Sequence, residues 1–219
     1  MQSAAASEGS LSVGCPRCPI PVLEADGAWW CPEHGAVPPL RRPSVSSYDG
    51  FVEHLSAAGS FPTYLPWPLS PGWRVTDFGV VGADPERAVA TVACCAGVSE
   101  LDGTVDVTVV SEEPGTGLGA RCAGTPGADP GPEVGDGPAT VHVRIGGHEV
   151  AMWAVSMSAT DQNFDRTVLV GEADGRWLWL VLRPASAILL LRADWILRDV
   201  SGIGPPLVEL PFGGPPPSW

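Results

Sequence analysis

Three cysteines and one histidine near the amino end have the spacing of a metal-binding site. The chain reads Cys15-Pro-Arg-Cys18, then twelve residues, then Cys31-Pro-Glu-His34. Two ligands separated by two residues can reach one ion from a single tight turn, and the intervening residues allow a hairpin to bring the second turn to the same ion. Three thiolates and one imidazole are a common structural set for Zn²⁺ and leave no coordination position for water. The sequence therefore predicts a structural zinc site at these four residues.

A glycine-rich segment is the second candidate site. Residues 112–122 contain Gly115, Gly117 and Gly119, followed by Arg121. Backbone amides that glycine leaves accessible, together with an arginine, can bind a phosphate or a carboxylate. The segment is not a P-loop, because no Lys-Ser/Thr pair follows it, and it leaves no room for the long helix of a dinucleotide site. Two interpretations stand: a weak site for an anionic ligand, and an ordinary surface loop.

A proline-rich aromatic segment covers residues 61–73. Its four prolines exclude a helix and central-strand pairing, so an extended conformation is expected. Tyr64, Trp67 and Trp73 would anchor this segment. It is either a strap that fills the edge of a sheet or a strip that binds a partner protein.

The remaining thiols and histidines give weaker signals. Cys94 and Cys95 are neighbours on a predicted strand, so they should point to opposite faces and be buried. Cys122 could pair with His142 or His148 as a nucleophile and a base, but the spacing supplies no geometry for that. No catalytic residue is assigned.

One helix is predicted over residues 48–58. Ser46 and Asp49 form a capping-box pattern, apolar residues recur at helical spacing, and Gly59 is suited to end the helix. His54 lies on this helix and is expected at its solvent edge.

From residue 74 onward the pattern predicts β-strands. They cover residues 74–81, 88–95, 104–111, 139–145, 150–155, 167–172 and 176–182. The last two flank a hairpin signal, and the last is apolar on both faces and should be central. A short helix is predicted over 184–191 and an edge strand over 207–210, whereas 194–199 fits either type. The fold class is therefore α+β, mainly antiparallel β with one or two helices, plus a small amino-terminal zinc-ribbon-like module.

Composition and charge bound the organisation and the partners of the chain. We expect a disordered tail at 1–10, the zinc-ribbon-like module at 11–43, a β-rich domain at 44–210 and a proline-rich tail at 211–219. The net charge is −13, and all twelve basic residues are arginine, which argues against general nucleic-acid binding. No segment has the ~18 apolar residues of a membrane helix. No export signal is visible, and the thiols are expected in a reducing cytoplasm.

Five short motifs support a resemblance to a known family. They are residues 15–18 (CPRC), 31–37 (CPEHGAV), 65–73 (LPWPLSPGW), 117–121 (GLGAR) and 176–179 (RWLW). In these motifs the chain resembles a family of uncharacterised bacterial proteins from GC-rich genomes. Some members carry the label phosphotransacetylase, but this chain lacks the long α/β pattern expected of such an acyltransferase. The resemblance implies no known mechanism and no catalytic residue.

Together these features predict a zinc-binding protein that binds or regulates another protein. The alternative is an enzyme or a sensor of small anionic ligands that uses residues 112–122. The two differ in where they place the functional surface, on the metal module and aromatic segment or on the glycine-rich loop.

Overall fold

The computed structural model describes residues 11–83, 87–155, 165–192 and 195–219, and the predicted tail at 1–10 lies outside these ranges. The strands are β1 (Leu11–Gly14), β2 (Leu23–Ala25), β3 (Ala28–Cys31), β4 (Gly35–Ala36), β5 (Leu40–Pro43), β6 (Tyr64–Pro66), β7 (Arg74–Gly82), β8 (Ala88–Ser99), β9 (Gly103–Glu112), β10 (Val141–Ile145), β11 (His148–Ala154), β12 (Thr167–Ala173), β13 (Arg176–Arg183) and β14 (Ile196–Asp199). The α-helices are α1 (Tyr48–Ala58) and α2 (Leu118–Ala123), and 3₁₀ helices cover Ala185–Arg192 and Pro205–Glu209.

Eleven of these strands form one sheet in the order β1-β5-β7-β8-β9-β13-β12-β11-β10-β14-β6. Neighbouring strands are antiparallel except β10 and β14, which are parallel. The edge strand β6 packs against β8 and β9, so the sheet folds over on itself into two layers. The predicted fold class, mainly antiparallel β with a small metal module, is confirmed.

The main core lies between the two layers, and a second core lies on the opposite face beneath α2. Strand β13 is central, because it pairs with β12 on one side and β9 on the other. Its residues alternate between the cores: Leu178, Leu180 and Leu182 enter the first, whereas Trp179 and Val181 enter the second. The prediction from the apolar run of β13 is therefore confirmed.

The same alternation holds on β8. Cys95 is buried in the main core and Cys94 in the second core. The two neighbouring thiols thus lie on opposite faces of the sheet, as predicted.

Helix α1 has the predicted bounds but a different amino-terminal cap. The hydroxyl of Ser47, not Ser46, caps the helix by accepting a hydrogen bond from the amide of Gly50 at 3.2 Å. Ser46 instead donates its hydroxyl hydrogen to the carbonyl of Val75 at 3.0 Å and ties the helix start to the sheet.

The prediction for His54 is wrong, because its side chain is fully buried rather than at the solvent edge. The ring stacks on Phe51, and Nε2 lies 2.9 Å from the Thr63 hydroxyl. Burial lowers the pKa of His54 to about 3, so the ring is neutral at physiological pH. His54 is thus a packed core residue of α1.

One of the predictions for the chain after β13 is also wrong. The predicted helix over 184–191 is present as the 3₁₀ helix Ala185–Arg192, and within the ambiguous stretch 194–199 strand β14 covers Ile196–Asp199. The predicted edge strand at 207–210 is wrong, since Pro205–Glu209 is a 3₁₀ helix. Its two leading prolines have a fixed φ and no amide hydrogen, which favours a helical start over strand pairing.

Candidate metal centre

The four predicted metal ligands stand at the ends of short strands. Strand β1 ends at Gly14, immediately before Cys15, and β3 ends at Cys31. Strand β4 starts at Gly35, directly after His34, and the φ of 71° at Gly35 is a left-handed conformation that glycine adopts without strain. A separate three-stranded sheet, β2-β3-β4, therefore carries the second pair of ligands to the first pair.

The four ligand atoms lie close enough together to surround one ion. All four lie within 4.8 Å of one another. The Sγ atoms of Cys18 and Cys31 are 3.6 Å apart, and His34 Nδ1 lies 3.7 Å from Cys15 Sγ and 3.6 Å from Cys31 Sγ. Tetrahedral bonds of ~2.3 Å to sulfur and ~2.0 Å to nitrogen separate ligand atoms by about 3.5–3.8 Å. The four residues therefore could bind a metal ion.

Burial and hydrogen bonding act on the thiols in opposite directions. Burial raises the pKa of Cys15 to about 11. At Cys31 burial also raises the pKa, but hydrogen bonds from His34 and from the backbone amides of Glu33 and His34 outweigh it and lower the pKa to about 6. Because metals bind thiolates, an ion must compete with protons for these sulfurs, and metal affinity should fall as pH falls.

The glycine-rich segment lies directly against the metal module. Arg17, inside the first cysteine pair, donates hydrogen bonds to the carbonyls of Thr116, at 3.1 Å, and Gly115. In the opposite direction, Arg121 donates to the carbonyl of Cys15. Two arginines thus fasten the first ligand turn to residues 112–122. Sequence reasoning missed the role of Arg17, although its place between two ligands was a usable signal.

A buried carboxyl group holds the start of α2. Glu112 Oε2 accepts hydrogen bonds from the amides of Leu118, at 2.8 Å, and Gly119, at 3.1 Å. Gly119 lies on the indole of Trp179, where a Cβ atom would come within 2.3 Å of the ring. Burial raises the pKa of Glu112, and the two amide hydrogen bonds lower it. Burial is the larger effect, and the resulting pKa is about 7. Sequence reasoning did not find this role of Glu112.

The structure brings the predicted anion-site residues together but gives them protein partners. Gly115 and Arg121 contact the metal module, and Gly119 packs on Trp179. A Cβ atom at Gly117 would lie 2.9 Å from the side chain of Arg17. Anion binding by this loop stays a prediction, and it would require at least one arginine to leave a carbonyl oxygen.

The predicted aromatic strip is divided between core and surface. Tyr64 and Trp73 are buried in the main core, and Trp67 is half-buried. Tyr64 belongs to edge strand β6, and Trp67 lines a groove of about 440 Å³ together with Trp195 and Leu190. Partner binding by this segment stays a prediction, in which only Trp67 offers accessible aromatic surface.

The possible nucleophile, Cys122, is buried, whereas the two possible bases are exposed. Cys122 is buried in the second core, and burial strongly raises the pKa of its thiol. His142 and His148 are exposed on β10 and β11. The environment of Cys122 opposes the thiolate form that a nucleophile needs.

These features define a mainly antiparallel β protein with an amino-terminal Cys₃His cluster suited to a metal ion. A model described as a family of unknown function, DUF6758, matches residues 10–219. Since the match covers nearly the whole chain, the protein belongs to this family. No curated protein and no solved structure gave a match. None of the helices in the described part of the chain is long and apolar enough to cross a membrane.

Proposed function

We propose that the ion is Zn²⁺ and that its role is structural. Three sulfurs and one imidazole nitrogen fill a tetrahedral set and suit zinc better than harder cations. The apolar cluster of the metal module is small, with Cys15, Cys18, Val22, Cys31 and Val37 as its buried members. Strands β1 and β5 tie this module to the main sheet, and metal binding would supply folding free energy that so small an apolar cluster does not.

We propose further that the metal module binds another protein. The observation that carries this proposal is a pair of large apolar side chains facing solvent on its hairpin. Leu23 is 65% exposed and Trp30 is 54% exposed, and the two are directly opposite each other on β2 and β3. Aromatic side chains on a rigid, exposed scaffold are characteristic anchors of protein interfaces.

The charges around this pair indicate the chemistry of the partner. Residues 19–40 contain Glu24, Asp26 and Glu33 and no lysine or arginine. All three carboxylates belong to exposed residues. Complementarity therefore favours a partner whose apolar contact patch is surrounded by basic side chains, and it disfavours nucleic acid. We place this interaction in a reducing cytoplasm, where zinc thiolates persist.

Affinity capture with the full chain from its source cells tests the proposal. We expect a stoichiometric protein partner whose cross-linked footprint is apolar and basic, and whose binding weakens with added salt. The double variant Leu23→Ser/Trp30→Ser should lose it. The matched control Val98→Ser/Leu101→Ser, which changes two apolar residues that are 74% and 84% exposed near the β8–β9 turn, should keep it. Equal capture by both double variants, or an acidic footprint, would overturn the proposed surface.

The anion-sensor alternative has less support. Arg121, the arginine that it would use, donates to the carbonyl of Cys15, and the loop carbonyls of Gly115 and Thr116 accept hydrogen bonds from Arg17. A ligand would have to replace those hydrogen bonds before gaining any binding free energy.

A further inference from the structure

The carboxyl-terminal segment, residues 211–219, reaches from one core of the protein to the other, and we call it the carboxyl-terminal strap. Its Phe212 packs against the main core between the two sheet layers. Its last residue, Trp219, packs against the second core on the opposite face of the sheet. The strap therefore joins two faces that the sheet otherwise keeps apart.

The start of the strap is fixed to strand β7. The amide of Val75 donates a hydrogen bond to the carbonyl of Pro211 at 2.8 Å, and the carbonyl of Val75 accepts one from the amide of Gly213 at 3.0 Å. Val75 immediately precedes a β-bulge, at which Thr76 is an extra residue in the ladder with β8. Strand β5 pairs with the other end of β7, so the strap takes the place of a neighbouring strand here.

Two glycines and three prolines carry the strap to the second core. Gly213 and Gly214 have φ values of 113° and 100°, which residues with a side chain rarely adopt. Residues 215–217 are all proline, and their fixed φ favours a stiff, extended course. Beyond them, the carbonyl of Ser218 accepts a hydrogen bond from Arg183 at 2.8 Å. The end of the strap is thus held in place on the second face.

The strap ends on two arginine side chains from different parts of the fold. The centroid of the Trp219 ring lies 4.0 Å from the guanidinium carbon of Arg42 and 4.9 Å from that of Arg121. Both distances are within the range of a cation–π interaction. Burial lowers the pKa of Arg121, and the charge of Arg42 lowers it further. The electron-rich ring therefore stabilises a positive charge that is partly removed from water.

Both arginines are also tied to the first turn of metal ligands. Arg121 donates a hydrogen bond to the carbonyl of Cys15. Arg42 lies on β5 opposite Ser12 of β1, and its carbonyl accepts a hydrogen bond from the Ser12 hydroxyl at 2.9 Å. Strand β1 leads directly into Cys15. The two arginines line a cavity of about 170 Å³ together with Cys18, so they lie between Trp219 and the ligand turn.

We propose that the carboxyl-terminal strap is a latch whose docking and metal binding stabilise each other, an inference that rests on the proposed zinc site. With the ion bound, the Cys15 carbonyl is held where Arg121 reaches it, and Arg121 is in turn held against Trp219. Without the ion, the small apolar cluster of the metal module holds this turn less firmly, and the contacts of the arginines with Trp219 weaken.

The coupling acts in both directions. Thermodynamic linkage requires that an undocked strap weaken metal binding by the same factor by which loss of the metal weakens docking. Loss of the metal would therefore release the end of the strap and expose the two arginines that it covers.

The zinc affinity of the full chain, measured by competition with the chelator HEDTA, tests the first direction. Trp219→Ala should lower the affinity about fivefold, the effect expected from the loss of one or two cation–π contacts. Trp219→Phe keeps an aromatic ring and should stay within about twofold of the unmodified chain. Trp153→Ala changes a half-buried tryptophan of β11 and should leave the zinc affinity unchanged.

Digestion of the full chain by carboxypeptidase Y, a serine enzyme that needs no metal, tests the reverse direction. Mass spectrometry follows the loss of Trp219 from the zinc-loaded chain and from the chain stripped of metal under reducing conditions. The stripped chain should lose this residue about fivefold faster, because its side chain leaves the two arginines more often.

The outcomes separate the latch from the zinc site. The latch alone is overturned if Trp219→Ala changes the zinc affinity by less than about twofold, if Trp153→Ala changes it as much, or if digestion is equally fast with and without metal. An unmodified chain that binds no zinc would instead overturn the zinc site and the latch together.

Discussion

Replacing Glu112 by glutamine should stabilise the protein, and more strongly at alkaline pH. The Glu112 side chain is fully buried, and no described group meets its Oε1 in full hydrogen-bond geometry, although the indole N–H of Trp179 lies near enough to lower the pKa of the carboxyl group. Burial raises the pKa of Glu112 from 4.5 to about 7. At a pH between these two values, the folded chain therefore holds a proton that the unfolded chain releases. Stability from this group is therefore greatest below the unfolded pKa and falls as pH rises through the folded pKa.

The size of the effect follows from the two pKa values. With an unfolded pKa of 4.5 and a folded pKa of about 7, the raised pKa of Glu112 lowers the free energy of unfolding by on the order of 1 kcal/mol at pH ~5.5, where the folded chain keeps the proton, and by on the order of 3 kcal/mol at pH ~8.5, where the buried group is ionised. Glutamine keeps an oxygen that can accept from the amides of Leu118 and Gly119 but carries no charge. The stabilisation by Glu112→Gln should therefore grow by about 2 kcal/mol across this pH range.

Urea unfolding at both pH values, with zinc held constant, measures this difference. Glu113→Gln at the exposed neighbouring position is the control and should change the free energy of unfolding by less than ~0.5 kcal/mol at either pH. A gain for Glu112→Gln that does not depend on pH, or a loss of stability at pH ~8.5, would refute the assignment of Glu112 as a buried, reluctantly ionised carboxyl group.

Three further substitutions test the core and the metal site. Trp179→Ala should cost about 3–5 kcal/mol in urea unfolding, whereas Trp30→Ala at an exposed position should cost less than ~0.5 kcal/mol; similar costs would contradict the central placement of β13. Gly119→Ala should destabilise by at least about 1–3 kcal/mol, because its Cβ would lie 2.3 Å from the Trp179 ring, and wild-type stability would show that α2 does not pack there. Cys18→Ser should lose the bound metal in elemental analysis while Cys94→Ser retains it, and metal retained by Cys18→Ser would remove that ligand from the set.

The parts of the fold that the sequence predicts well are those set by local pattern. Strand β13 is apolar at every position but its ends, and only a central strand with two covered faces accommodates that. Helix α1 is bounded by a capping serine and by Gly59. Its buried face was only partly predicted, because His54 reads as polar but is buried, whereas Val52 reads as apolar but is 45% exposed.

The close approach of the four candidate metal ligands is also predictable, because each pair occupies one tight turn and the hairpin between the pairs is short. The groups that surround them are not. Arg17 bonds to residues 98 and 99 positions further along the chain, and Arg121 bonds to one 106 positions before it. A single sequence does not indicate which residues so far apart along the chain will form hydrogen bonds.

The glycine-rich segment shows how one pattern can serve two physical purposes. Glycines can expose amides to an anion, or they can let large side chains approach the backbone closely. In this fold Gly117 lies against Arg17 and Gly119 against Trp179, which is the second purpose. The bulge at Thr76 likewise depends on how β7 pairs with β8, and nothing local in the sequence marks it.

X-ray absorption at the zinc edge, with elemental analysis of the purified full chain, tests the central claim most directly. We expect about one zinc per chain, with three sulfur neighbours at ~2.3 Å and one nitrogen neighbour at ~2.0 Å. Protein that contains less than about a tenth of an equivalent of metal after purification without chelators, or a spectrum with oxygen in place of sulfur neighbours, would contradict the Cys₃His site.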